Sequence, residues 1–179
     1  MIAAAPILLA AIGELVVEKS GVLNLGVEGM MIVGAICGFA VAVESGSPAL
    51  GFMGAAIGGA ALALIFGVLT QYLLSNQVAT GLALTLFGLG FSALIGQGYV
   101  GVVPPPTEKI DFGPLTDMPF LGPVFFNHDL MVYVALAIVA GVWATLRFSR
   151  AGMILRAVGE NHHAAHALGY KVIRIRLLA

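Results

Sequence analysis

Long apolar runs, each near the length of a bilayer crossing and parted by short polar breaks, restrict this chain more than any other feature. A helix that crosses the hydrocarbon core needs about 20 predominantly apolar residues. Five stretches approach that pattern: residues 2–17, 22–43, 48–74, 77–96 and 130–148. Only 9% of the 179 residues are charged, against 60% hydrophobic, and the mean hydropathy is +1.03. A soluble domain carries roughly a quarter charged residues to cover its surface, so this chain is expected to face lipid. In lipid each backbone polar group must be bonded inside a helix or a closed barrel. The expectation is an all-α polytopic transmembrane bundle, 1–179 forming one domain, with about five membrane helices.

Glycine is abundant, at 24 residues. Gly34/Gly38 and Gly54/Gly58 repeat at a spacing of four, which brings small residues onto one helix face and predicts close helix–helix contact. Cys37, the single cysteine, lies in an apolar run and reads as a small hydrophobe, so there is neither a disulfide framework nor a cysteine metal site. The net charge of −1 argues against a nucleic-acid partner. Residues 1–17 lack the basic start and cleavage pattern of a secretory signal.

The second stretch begins badly for a plain membrane helix. Asn24-Leu25-Gly26-Val27-Glu28-Gly29 is polar and glycine-rich, and it predicts a broken second helix. A carboxylate at membrane depth costs a few kcal/mol on insertion scales, so it faces a cavity, a partner or a helix end. Glu14 and Glu28 are the two such residues. Glu28 is expected in a first helical turn, where the positive end of the dipole favours an anion. It either lines a transport path at a discontinuous helix or caps the break; Asn24 reads as a cap of that break. Asn76 and Gln77 read as a cap on the fourth stretch.

Residues 99–129, with Pro104-Pro105-Pro106 and Asp111, Asp117 and Asp129, form a loop outside the hydrocarbon, since successive prolines forbid helix. Six of the eight Lys and Arg follow Trp143. The positive-inside rule puts that end in the cytoplasm and the proline loop outside. Gly96-Gln97-Gly98-Tyr99-Val100-Gly101 matches G-x-G-x-x-G, but it follows a membrane helix and precedes prolines, so a dinucleotide site is rejected. Among His162, His163 and His166, i, i+3 or i, i+4 spacing can place two imidazoles on one helical face, but no metal-binding template surrounds them, and they read as solvated. No metal and no cofactor is expected.

Residues 149–176 are long for a connector, since helix connections in bundles usually take only a few residues. A short amphipathic helix with glycines at both ends, held between basic membrane edges, is what docking to a cytoplasmic partner needs.

Two segments resemble the permease subunits of ABC importers, in the group that handles nucleosides and simple sugars within the branched-chain amino acid/ribose permease-like superfamily. One is residues 21–31, preceded by Pro6 and Gly13-Glu14-Leu15. The other carries Arg156, Ala157, Gly159, Asn161, Ala164, Ala165 and Gly169 on the pattern R-A-x-G-x-N-x-x-A-A-x-x-x-G. Asn76-Gln77 with Gly81-Leu82-Ala83-Leu84 gives a weaker third match. His162 stands where the family usually has proline, and Tyr170 where it has isoleucine.

The resemblance implies a passive membrane path with ATP hydrolysis on separate ABC ATPase subunits, a second permease subunit and an extracytoplasmic solute-binding protein. It also implies that Arg156, Gly159, Glu160, Asn161, Ala165 and Gly169 couple to the ATPase, and that Asn24, Glu28 and Glu14 mark the path or break. Family members continue for several more helices, so a C-terminally incomplete copy is expected. The main alternative is a fragment of an ion-coupled secondary transporter using Glu14 and Glu28. A membrane enzyme fares worse, for lack of a nucleophile–base or metal constellation.

The orientation is testable by labelling with a membrane-impermeant thiol reagent. Gly113→Cys is expected to react in intact cells, and Ala167→Cys only after lysis; the reverse pattern inverts the topology.

Overall fold

In a computed structural model, residues 4–106 and 130–179 are described. Eight α-helices occur among them: α1 (Ala4–Lys19), α2 (Val27–Ser45), α3 (Pro48–Gln71), α4 (Gln77–Gly96), α5 (Leu130–Phe148), α6 (Arg150–Glu160), α7 (His162–Ala167) and α8 (Val172–Leu178). A 3-10 turn, Gln97–Tyr99, extends α4. No strand is present among the described residues.

Four described helical spans, not five, are long and apolar enough to cross a membrane: Val27–Ser45, Pro48–Gln71, Gln77–Tyr99 and Leu130–Phe148. The 16 residues of α1 reach about 24 Å at 1.5 Å per residue, short of a hydrocarbon core about 30 Å thick. The break precedes Glu28, which stands in the first turn of α2 as expected. The second helix is not interrupted internally; α2 begins only at Val27, and residues 20–26 before it are non-helical. Of the proposed loop 99–129, residues 107–129 lie outside the described residues, and 102–106 are non-helical.

Local chemistry fixes the ends. Gly46 closes α2 in the left-handed region at φ 67°, a conformation that glycine adopts without a Cβ penalty. Pro48 then opens α3 in its first turn, where its missing N–H has no helical partner to lose. The Asn76 side chain accepts from Ala79 N at 3.1 Å and caps α4.

The helices pack through glycine. An ideal Cβ on Gly38 would lie 2.8 Å from Gly51 O, and one on Gly58 would lie 2.8 Å from the Cys37 Cβ. Gly34 meets Ala55 and Gly54 meets Val41, so both predicted small-residue pairs sit in the α2–α3 seam, with Cys37 half-buried there. Gly29 and Gly88 bring α2 and α4 together in the same way. Behind these seams Val22, Val33, Leu62, Phe66 and Leu84 form one apolar core. A second, of Ala5, Val132 and Ala135, joins α1 to α5. Large apolar side chains point outward all along the helices, Leu86 at 71% and Leu64 at 60% exposed. Water would not tolerate so continuous an apolar exterior; lipid does.

Backbone contact without side chains leaves no room for a methyl group. A Cβ on Gly29 would lie 2.6 Å from Leu84 O, and overpacking of this kind costs about 1–3 kcal/mol. Gly29→Ala is therefore expected to lower the thermal midpoint of the detergent-solubilised protein. Gly90→Ala, with no atom within 4 Å of its Cβ, is expected to leave it unchanged or raised.

Candidate functional site at the helix break

Between α1 and α2 the backbone leaves the helix, and its polar groups need partners from elsewhere. Gly21 turns the chain at φ 81°, and its N–H donates to Glu18 O at 2.9 Å. The Leu23 N–H donates to the Gln77 side-chain oxygen at 2.9 Å. The Asn24 N–H donates to the Glu14 carboxylate at 3.3 Å. The Asn24 side-chain oxygen in turn accepts from Gly26 N at 2.9 Å, closing an Asx-type turn. Thr85 donates its hydroxyl to Leu25 O at 3.3 Å, and Arg176 donates Nε to Ser20 O at 3.1 Å. Elements α1, α4 and α8 thus each supply a side chain to one seven-residue segment.

Of the three residues expected at the break, the structure joins two. Glu14 and Asn24 meet through the Asn24 backbone, and Asn24 is buried at 6% exposure. Glu28 stands apart, exposed in the first turn of α2, and makes no hydrogen bond or ion pair among the described residues. The helix dipole favours its charge there. Beside Asn24 a crevice of about 300 Å³ runs between the break, α3 and α8, with Thr70, Gln71 and Arg176 as its other polar lining. Thr70 and Gln71 are buried, and burial lowers the Arg176 guanidinium from its ordinary value. Sequence reasoning passed over this pair and over the reach of Gln77; a Thr-Gln dipeptide closing an apolar run was the available signal.

The segment 149–176 folds as three short helices. Ser149 accepts from Gly152 N at 3.0 Å and caps α6. Asn161 accepts from Ala164 N at 3.0 Å and caps α7. Gly169, at φ 89°, ends it in a Schellman arrangement, with Tyr170 N on Ala165 O at 3.1 Å and Gly169 N on His166 O at 2.9 Å. Ala165 is buried at 3%, while Glu160 and Asn161 are exposed. Arg156 is exposed as well, but lines a crevice with Lys19 and Arg147. The His162 and His163 rings lie with centroids 4.1 Å apart at a tilt of 37°, and the charge of His163 pushes the His162 pKa down, with desolvation and Arg176 adding to it.

Gly159 holds the unexpected contact. A Cβ there would overlap the Lys19 carbonyl oxygen and lie 3.1 Å from Gly21 N. The close approach that glycine permits is made within the chain, to the turn that begins the break. A tryptophan at this position therefore cannot leave the fold intact, contrary to what a docking role alone would allow.

Apolar spanning helices around a non-helical break define a multi-pass membrane protein of the transporter kind. The chain belongs to the family of the branched-chain amino acid transport system/permease component, which it matches over residues 1–179. It is 42% identical over 181 residues to TsgC13 of Haloferax volcanii, provisionally named a glucose ABC transporter permease protein, covering 99% of this chain and 55% of the relative. It is 30% identical to the guanosine ABC transporter permease protein NupQ of Bacillus subtilis, over 99% of this chain and 60% of the relative. Against the nucleoside ABC transporter permease protein NupC of Lactococcus lactis the identity is 28%, over 98% and 59%. The chain thus spans between half and two-thirds of the length of these curated relatives. No solved structure matches it significantly.

The Gly159 contact sets a clear expectation. Gly159→Ala should destabilise the protein by about 1–3 kcal/mol, as overpacking against backbone does, and should speed proteolysis after Lys19. Gly13→Ala, whose Cβ meets nothing within 4 Å, should do neither.

Proposed function

We propose that this chain forms part of the membrane path of an ATP-driven importer of nucleosides or simple sugars. The observation that carries the reading is the seating of Gly159 on the Lys19–Gly21 turn, because it ties the segment expected to meet an ATPase to the segment expected to face the solute. ATP hydrolysis takes place on separate ABC ATPase subunits. A second permease subunit completes the path and an extracytoplasmic binding protein delivers the solute. The basic end, 149–176, faces the cytoplasm.

The residues divide by role. Glu14, Asn24 and Gln77 hold the break in shape, and Glu28, exposed and without a described partner, presents its carboxylate to the path or to the neighbouring subunit. Gly159 is a positioning residue inside the chain, Asn161 and Gly169 bound α7, and the outward carboxylate of Glu160 meets the ATPase. Movement of α6 by the ATPase shifts the turn at Lys19–Gly21 and with it the break, a two-state rearrangement of the kind that switches access. The nucleoside and sugar assignment follows the names of the relatives. No observation favours the ion-coupled alternative, and Glu14 is already engaged by the Asn24 backbone.

The test uses the full-length permease expressed with its ATPase. Glu160→Arg is expected to cut co-purification of the ATPase several-fold while the thermal midpoint stays at the wild-type value. Uptake of labelled guanosine or glucose should fall in parallel. Undiminished co-purification and uptake would remove α6 from the docking face.

A further inference from the structure

A second crevice, of about 320 Å³, opens between α1, α5 and α6, and of its lining the importer reading uses only Arg156. Its walls are apolar, with Leu15 from α1 and Val142 and Leu146 from α5. Its rim is not. Lys19 from the last turn of α1, Arg147 from the last turn of α5 and Arg156 from α6 all line it. Three cations from three separate elements therefore share the mouth of one apolar slot. None of them forms an ion pair among the described residues. Arg147 lies 5.8 Å from the centroids of Trp143 and Phe148, and Arg156 donates only to Gly152 O at 3.4 Å. Among the described residues, Glu18 of α1 and Glu160 of α6 are exposed and form no ion pair with them.

Unpaired cations repel one another and favour a common anion, while the walls below them favour hydrocarbon. One class of molecule meets both demands, an amphiphile with an anionic head and an apolar tail. Trp143, from the C-terminal part of the spanning helix α5, also lines the crevice, and such amphipathic rings favour the membrane–water boundary. Basic pockets between membrane helices are suited to anionic head groups. The geometry points to a binding site for an anionic phospholipid, its phosphate held by Lys19, Arg147 and Arg156 and an acyl chain lying against Leu15, Val142 and Leu146. The inference rests on the membrane embedding of the helices, and it stands or falls independently of the transported solute. It takes Arg156 from the ATPase face and gives it to the lipid.

The chain, purified in mild detergent, is offered phosphatidylglycerol or phosphatidylcholine of matched acyl chains, and bound lipid is counted by native mass spectrometry. The wild type is expected to retain phosphatidylglycerol several-fold over phosphatidylcholine. The combined variant Lys19→Gln, Arg147→Gln, Arg156→Gln should lose that preference, and Lys19→Arg, Arg147→Lys, Arg156→Lys should keep it. Because removing three charges can unfold a protein, Val142→Trp supplies an independent arm: it fills the slot, leaves the cations, and should also reduce phosphatidylglycerol retention. Equal retention of the two lipids overturns the proposal, as does a preference that survives both the neutralised variant and Val142→Trp. Displacement by inorganic phosphate alone would make the site an anion site with no need of an acyl chain. Loss of ATPase co-purification from the neutralised variant with lipid retention unchanged would make it a protein contact.

Discussion

Seven residues of non-helical backbone, 20–26, lie among apolar helices, and their N–H and C=O groups have no helical partners of their own. An unpartnered backbone group in such surroundings costs several kcal/mol, so this segment persists only because side chains from elsewhere serve it. Gln77, Glu14, Thr85 and Arg176 do so, and Asn24 closes a turn inside the segment. The arrangement of the described chain follows from that requirement. Helix α4 must begin beside the break to deliver Gln77, and its close approach is possible because Gly81 faces Gly26 and Leu25 with only backbone between them. Helix α8 must return to the same place, 156 residues along, to deliver Arg176.

The glycines serve the same end by another route. Between helices in lipid there is no hydrophobic drive to association, because the tails are as apolar as leucine. Contact must come from dispersion at short range and from shape. The α2–α3 and α2–α4 seams are accordingly built from Gly34, Gly38, Gly51, Gly54, Gly58, Gly29 and Gly88, and the larger side chains are turned outward to lipid. Position, more than count, is what matters: Gly13 and Gly90 border on empty space and contribute nothing to packing.

Much of this could be read from the sequence because it is local. Four-residue spacing put Gly34 with Gly38 and Gly54 with Gly58 on their seam, and Asn76 at the head of the fourth stretch announced the cap on α4. The bounds 77–96 and 130–148 emerged from apolar length alone. What stayed hidden is non-local. Nothing near Gln77 indicates that its amide reaches Leu23, 54 residues away, and the cost of Glu14 in the membrane was evident while its partner, the Asn24 N–H, was not. The break was found ahead of Glu28, but polarity and glycine locate an interruption only to within a few residues, and its extent back to Ser20 was not evident. The fifth crossing was expected from composition, but helix length decides that point, and α1 is too short among its described residues.

Gly159 shows how a local reading can leave a neighbour in the same chain unseen. A glycine between Val158 and Glu160 promises a close backbone approach, and the approach exists, but to Lys19 and Gly21 of the same chain. That placement has a mechanical consequence. Val158 beside it is fully buried, as is Ser20 on the other side of the contact, so α6 and the turn meet with backbone against backbone and no intervening side chain to change rotamer. Close-packed contacts of this kind move together or separate; they do not stretch. The Arg176 bond to Ser20 O ties α8 into the same junction. The basic end and the break are therefore joined at two points, the Gly159 contact with the Lys19–Gly21 turn and the Arg176 bond to Ser20 O.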